Sequence, residues 1–328
     1  MSIRSVVVIV AVSALLAGCT GRPGSAPAPT GTGSRPVGTP SSTYAMTPLH
    51  GVALTGPVRL RLLVASNPPE LVDVDTGART PVTGLPAGAD RPTWVTAVGQ
   101  DAVITSSCLT CDAGGDVYVL RRGTTVARRI AAGSSVVASP DGRGVWLTRY
   151  DGTTCTLQEV ALDGQTRTAS RPVDCHVVPR AVTGRYLLTG AATGDGALVL
   201  TDVQAGSRTT IRRPTAIGDP SDGLASPDNR YLAIAFEHPA WPGPTQRLDL
   251  WLLEPASQRW QQAPSMPVPA ALKFTAMTWL PDGRLVLLGD FEHVGQAVAV
   301  WRPGEDQFGI RTLALPEQRA EAFVVWPS

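Results

Sequence analysis

The sequence predicts an all-β fold, a six-bladed β-propeller of four-stranded antiparallel blades, and three observations lead there. A tight-turn signature repeats at near-regular spacing, short apolar strands flank each copy, and no amphipathic helical stretch of useful length interrupts the pattern. The strongest copy is Ser-Pro-Asp-Gly at residues 139–142, within VVASPDGRGVWL. It returns as Ser-Pro-Asp-Asn at 226–229 and Leu-Pro-Asp-Gly at 280–283, with weaker versions at Gly99 and Gly184.

Turn chemistry accounts for these residue types. Pro presets φ at the first corner, Asp bonds neighbouring backbone N–H groups, and Gly or Asn accepts a positive φ at little cost. The positions expected to be left-handed are Gly99, Gly142, Gly184, Asn229 and Gly283, spaced 43, 42, 45 and 54 apart. After each turn comes an apolar strand: AVITSSC, GVWLTRY, RYLLTGA, YLAIAFE and LVLLGDF in chain order. A second alternating strand and a more polar third follow, as in LVLTDVQAG and SRTTIRRP. Together with the strand before the turn, this makes four strands in roughly 43 residues, the size of one propeller blade. The strands of a unit are called A to D from the axis outwards, so the signature turn joins A to B. On this reading Asp141, Asp228 and Asp282 are turn residues, not catalytic carboxylates.

The two ends fix the count. The segments VRLRLLVAS, PELVDVDTG and ARTPVTG read as strands B, C and D of a unit that lacks strand A, whereas the final EAFVVWPS reads as an A strand with no B after it. Residues 322–326 are therefore expected to supply the missing strand. Closure of this kind removes free sheet edges and gives six blades.

The first residues carry a different message. Residues 1–18 have Arg4, an apolar run over 6–16 and then small residues, the layout of an export signal. That run is shorter than the ~20 residues a membrane-spanning helix needs. Leu16-Ala17-Gly18-Cys19 resembles the bacterial lipobox, and the resemblance implies a diacylglyceryl thioether on Cys19 with further acylation, palmitate included, of its new amino group. More than one chain makes anchoring stable. Residues 19–43 are rich in Gly, Pro, Ser and Thr without apolar periodicity and read as a disordered tether. Flexible-chain scaling gives it a reach of roughly 25–30 Å. The propeller domain is then 44–328, lipid-anchored at the outer face of the cytoplasmic membrane. A formal net charge of +1 with mixed signs along the chain, and Lys273 as the only lysine, leaves no basic footprint for nucleic acid.

The Ser-Pro-Asp-Gly turn ahead of each strand resembles the repeat of TolB-like and WD-repeat-like bacterial propellers across nearly all of residues 58–328. With the lipobox, the tether and the Arg-rich composition, the whole resembles an actinobacterial surface lipoprotein. The resemblance implies the fold and leaves the function open, because propellers host enzymes, binding modules and scaffolds alike.

Besides Cys19 the chain has Cys108, Cys111, Cys155 and Cys175, an even number that in an exported protein suggests two disulfides. Strand topology puts Cys155, at the start of a C strand, and Cys175, ahead of the next A strand, on one rim close enough to bridge. Cys108 and Cys111 share a B-to-C hairpin in SSCLTCDAGG. A loop disulfide is the expected state, with a redox pair or half a zinc site as the other readings.

Phe-Glu-His occurs twice, as Glu237-His238 and Glu292-His293, at what the sequence presents as equivalent strand-B ends. Such pairs suggest a metal, an acid-base couple or a ligand contact. Equivalent ends on neighbouring blades stand about 10 Å apart by strand spacing, too far to share a metal at ~2 Å, so no metal site and no cofactor is expected. Trp241, between prolines in the hairpin HPAWPGPTQR, is a candidate contact residue on a long loop. SPDGRGVW echoes the sialidase Asp-box, but Arg143 stands where that box wants Gly. No nucleophile elbow, zinc-binding His-Glu-x-x-His, phosphate loop or dinucleotide fingerprint occurs. The expected function is a monomeric, non-catalytic binding module for a protein, peptide or envelope ligand. The alternative is a propeller enzyme such as a metal-dependent hydrolase or lactonase.

Overall fold

A computed structural model describes residues 45–86, 92–106, 115–191, 196–215, 218–239, 245–315 and 322–327. Cys19, Cys108, Cys111 and Trp241 lie outside the described residues, as do the export signal and the whole of the tether. Regular structure among the described residues is β-strand throughout.

In chain order, β1 (Gly51–Ala53) precedes β2 (Leu60–Val64), β3 (Glu70–Asp73) and β4 (Arg79–Pro81). A second unit comprises β5 (Pro92–Val98), β6 (Asp101–Ser106), β7 (Gly115–Leu120) and the first half of β8 (Ala127–Ala138). The rest of β8 opens the third unit with β9 (Gly144–Tyr150), β10 (Cys155–Ala161) and β11 (Arg171–Val173). One strand thus serves as D of one unit and A of the next, with its pairing changing partner between Gly133 and Ser134.

The fourth unit is a regular meander of β12 (Val177–Val182), β13 (Tyr186–Ala191), β14 (Leu198–Asp202) and β15 (Arg208–Ile211). In the fifth, the inner strand is broken into β16 (Asp219–Pro220) and β17 (Leu224–Ala225), both pairing with β18 (Leu232–Pro239). Outside them run β19 (Thr245–Glu254), β20 (Arg259–Gln262) and the start of β21 (Val268–Trp279). The remainder of β21 leads the last unit through β22 (Leu285–Phe291), β23 (Gly295–Trp301) and β24 (Phe308–Thr312). Finally β25 (Ala322–Pro327) pairs antiparallel with β2, Leu62 opposite Val324 and Leu63 opposite Phe323.

Most central strands read as nearly unbroken apolar runs because both faces of a unit are covered by its neighbours. Gly144–Leu147 in β9 and Leu285–Gly289 in β22 are buried residue after residue. The core accordingly consists of layers between units. One layer joins Val137, Trp146 and Leu157 of the third unit to Val182 and Leu187 of the fourth. Another joins Leu188 and Leu200 to Ile234 and Phe236 across the next junction. A further layer unites Leu62 and Leu71 with Ile104 on one side and Val286 and Leu288 on the other. Each fully buried Leu or Ile contributes about 1.5–3 kcal/mol of transfer free energy. The inner strands β5, β8, β12, β17, β21 and β25 touch one another in that order, and β25 also touches β5.

Two local expectations are corrected. Gly99, Gly142, Asn229 and Gly283 have φ of 62°, 66°, 59° and 81°, but Gly184 is not left-handed. Its turn is shorter: Thr183 N–H donates to the Tyr186 carbonyl, and the Thr183 hydroxyl accepts the N–H groups of Arg185 and Tyr186, closing the corner without a left-handed residue. The segment ahead of β2 also carries a strand that the alternation pattern did not announce. β1 adds to β24 in parallel, Val52 opposite Gly309, and covers that outer edge. Arg311 on β24 then pairs with Asp75 in the β3–β4 turn at 2.6 Å, and Asp75 also accepts the N–H groups of Val58 and Arg59.

Candidate functional site: two cavities at the ends of the axis

The A-to-B turns converge. Ala97 and Gly99 of the second unit, residues 138–142 of the third, Val182 of the fourth, Gly223–Ala225 and Pro227 of the fifth, and Trp279 and Pro281 of the last line one cavity of about 370 Å³. Repetition explains its construction: five units deliver A-to-B corners to the same place, three of them opening with Pro140, Pro227 and Pro281. The three Asp residues act within their own turns, accepting the N–H of Arg143, Arg230 and Arg284 two residues on. Asp141 is held below its ordinary pKa, chiefly by hydrogen bonds from the Arg167 guanidinium, which also reaches Glu159 at 2.8 Å. The Ser226 hydroxyl does the same for Asp228.

At the floor of this mouth, adjacent turns touch through glycine. A Cβ on Gly142 would stand 2.9 Å from Gly99 Cα, and one on Gly99 would stand 2.8 Å from the Gly142 carbonyl oxygen. The indole of Trp279 spans the neighbouring junction, its Nε1–H donating to the Leu224 carbonyl at 3.1 Å.

A second cavity, of about 300 Å³, lies toward the opposite rim. Its walls are Thr93 and Trp94 at the start of β5, Thr105 and Ser106 at the end of β6, Gly115, and residues 133–136 where β8 changes partner. Asp222 of the fifth unit joins these second- and third-unit residues from across the axis. It occupies the gap between β16 and β17, where the inner strand stops pairing with β18. Its partner Arg180 is the extra residue of a bulge in β12, between Pro179 and Ala181. Bulges re-aim side chains in this way.

Arg180 Nη1 is 3.3 Å from Asp222 Oδ1, and Nη2 donates to the Ala191 carbonyl. Side-chain exposure is 8% for Arg180 and 19% for Asp222, so the pair is largely out of bulk water. Burial pushes the Asp222 carboxyl up to about 6, against the opposing pull of Arg180.

The residues singled out by Phe-Glu-His do not share a position. Glu237 and His238 continue β18, facing Leu248 and Arg247 in register. Glu292 and His293 form the turn from β22 to β23, with His293 at φ 69° and 69% exposed. Turn length contributes one residue of the two-residue offset: the corner closed by Ser226 and Tyr231 has one more residue than the corner closed by Leu280 and Arg284. Leu232 therefore corresponds to Leu285, and Phe236 to Gly289 instead of Phe291. Among the described residues no group of three or more His, Cys, Asp and Glu is placed to hold a metal ion.

The Cys155–Cys175 bridge forms, tying the start of β10 to the connection before β12 with a Cα–Cα separation of 5.0 Å. Arg180 and Asp222 escaped the motif search. Their signal was weak, an Arg inside VVPRAV and an Asp in SDGLAS, each a charge within an inner strand of otherwise apolar or small residues.

No protein-family model matches the chain, and no curated protein matches it. Solved structures do. TolB from Acinetobacter baumannii superposes with a TM-score of 0.55 at 13% identity, covering 83% of this chain and 68% of that one. A putative TolB from Agrobacterium tumefaciens gives 0.50 at 14% identity, covering 78% and 89%. At these identities the likeness speaks to architecture alone: the chain has a TolB-like β-propeller fold.

Proposed function

We propose that the chain is a lipid-anchored, extracytoplasmic six-bladed propeller, closed by β25, that works as a non-catalytic binding module for a protein, peptide or envelope ligand through its A-to-B mouth. The observation that carries this reading is the cavity of about 370 Å³ assembled from turns of several units. Prolines 140, 227 and 281, the Trp279 ring and turn backbone give it a mixed apolar and hydrogen-bonding surface on a rigid frame, the composition of a recognition site. The β2–β25 pairing and the cyclic contacts of the inner strands support a closed ring of six. Anchoring rests on Leu16-Ala17-Gly18-Cys19 and the tether after it.

Photo-crosslinking in the native envelope tests the site. A crosslinking residue at Pro281 or Pro227, both exposed at the mouth, is expected to capture one discrete envelope partner. Capture only from positions on the opposite rim, such as His176, would refute the assignment. For the anchor, Cys19→Ala is expected to move the protein from the membrane fraction to the soluble one, and retention would contradict it.

A further inference from the structure

The cavity at the B-to-C end is built differently from the mouth, and a carboxylate stands in its wall. The Thr93 hydroxyl donates to the Thr105 carbonyl at 3.3 Å, the Thr105 hydroxyl to the Trp94 carbonyl at 3.3 Å, and the Ser106 hydroxyl to the Asp116 carbonyl at 3.4 Å. Each hydroxyl has thereby committed its one proton to the protein and has only lone pairs left for anything else. Toward a ligand these three hydroxyls accept hydrogen bonds, while the Ser134 and Ser135 hydroxyls and the Trp94 indole N–H in the same lining can donate.

Among the described residues the one charged group lining this space is an acceptor too. Asp222 meets Arg180 through Oδ1 alone, at 3.3 Å, while the other guanidinium nitrogen serves the Ala191 carbonyl. A carboxylate well matched to an arginine normally takes two short parallel bonds. Here Oδ2 has no protein donor among the described residues, and the side chain keeps 19% exposure at the cavity wall. Trp94 adds an aromatic surface to the same lining.

We propose that this cavity binds a small organic ammonium ion, with Asp222 Oδ2 as its counter-ion, the Thr93, Thr105 and Ser106 hydroxyls as acceptors for its N–H groups, and Trp94 as a cation–π contact. The charge of Asp222 selects the ligand. A primary ammonium brings three donors to the Thr93, Thr105 and Ser106 hydroxyls and Asp222 Oδ2, and its charge is what holds a buried carboxylate ionised. A neutral polyol leaves the carboxyl without a cation. The raised pKa of Asp222 is consistent with a carboxylate that Arg180 satisfies only in part. This site lies at the other end of the axis from the proposed mouth, so either can fail without the other.

The test is isothermal titration of the purified protein with n-butylammonium chloride at pH 7.5, with 1-butanol as the neutral isostere. One equivalent of butylammonium is expected to bind and 1-butanol is not. Asp222→Asn is expected to weaken binding roughly tenfold or more, the worth of one charge-assisted hydrogen bond. Should Asp222→Asn fail to fold, Ser134→Arg serves instead: Ser134 is an exposed lining residue, and a guanidinium there is expected to abolish binding with the thermal transition unchanged. Equal binding of 1-butanol, a neutral sugar bound in place of butylammonium, or unchanged affinity in both variants would each overturn the proposal.

Discussion

Gly142 is the residue whose role the structure defines most narrowly. Its φ is 66°, and a Cβ there would stand 2.9 Å from Gly99 Cα and 3.1 Å from Gly99 N, so an L side chain faces both backbone strain and a backbone clash that no rotamer relieves. Gly142→Ala is expected to cost about 1–3 kcal/mol, read as a lowered midpoint in thermal or denaturant unfolding. Gly152 also has a positive φ, of 94°, but nothing lies within 4 Å of its would-be Cβ, so Gly152→Ala is expected to cost less. Equal costs would remove the contact between turns from the account.

The acidic residues make a second prediction at this scale. Burial alone would raise Asp75, but the amides of Val58 and Arg59 and the Arg311 guanidinium outweigh it and hold the group below 3.8; Asp141 and Asp228 are lowered as well. Groups lowered by folding contribute stability that is present above their ordinary pKa and lost as the pH falls through the folded one. Asp222 has the opposite sign. Its folded value of about 6 exceeds the ordinary 3.8, so its contribution is full below the ordinary value, declines as pH rises toward 6, and is level beyond. The melting temperature of the ligand-free protein is therefore expected to peak between about pH 4 and 6. A profile still climbing from pH 6 to 7 would contradict the Asp222 assignment.

At the scale of elements, hairpins and caps decide where side chains go. Strand sequences alone make Phe236 and Phe291 look equivalent, whereas Gly289 stands in the place of Phe236, one residue of that offset coming from the difference in turn length. The alternation pattern revealed the central strands because their Leu, Val and Ile runs are covered on both faces. It was silent on β1, a three-residue edge addition with every residue exposed, and on the broken inner strand of the fifth unit. Those silences matter, since Asp222 sits in that break and Arg180 in a bulge, where residue type follows local geometry and not the strand period.

The disulfide is also an element-scale device, fixing the start of β10 to the approach to β12 across 20 residues of sequence. Cys175→Ser is expected to lower stability by about 3 kcal/mol, the loop-closure entropy of a link of this size, and non-reducing peptide mapping is expected to recover the Cys155–Cys175 pair. Free thiols at both positions in freshly purified protein would contradict the bridge.

For the whole molecule, repetition is what made the fold readable. Five turn positions at 42- to 54-residue intervals gave the unit, and the mismatch between the chain's two ends gave the expectation of a shared unit. The candidate site was readable only in so far as it is made of the repeated turns. Its opposite cavity, built from non-repeated residues of the second, third and fifth units, was not, because proximity between units distant in sequence is a property of the tertiary fold and not of any local segment. Leu188 carries the energetic version of the same point: fully buried between units, it is expected to cost about 2–5 kcal/mol as Leu188→Ala, although no motif names it.

On the proposed closure the inner strands encircle an axis that both cavities share, with β25 supplying the strand that β2 otherwise lacks. Hydrogen exchange on the intact chain and on a chain ending at residue 321 tests this directly. In the intact protein the amides of Leu60–Val64 are expected to be protected as strongly as those of the buried strand Leu285–Phe291, and removal of residues 322–328 is expected to release Leu60–Val64 selectively. Protection of Leu60–Val64 that is unchanged in the shortened chain would contradict the closure and the two axial sites that rest on it.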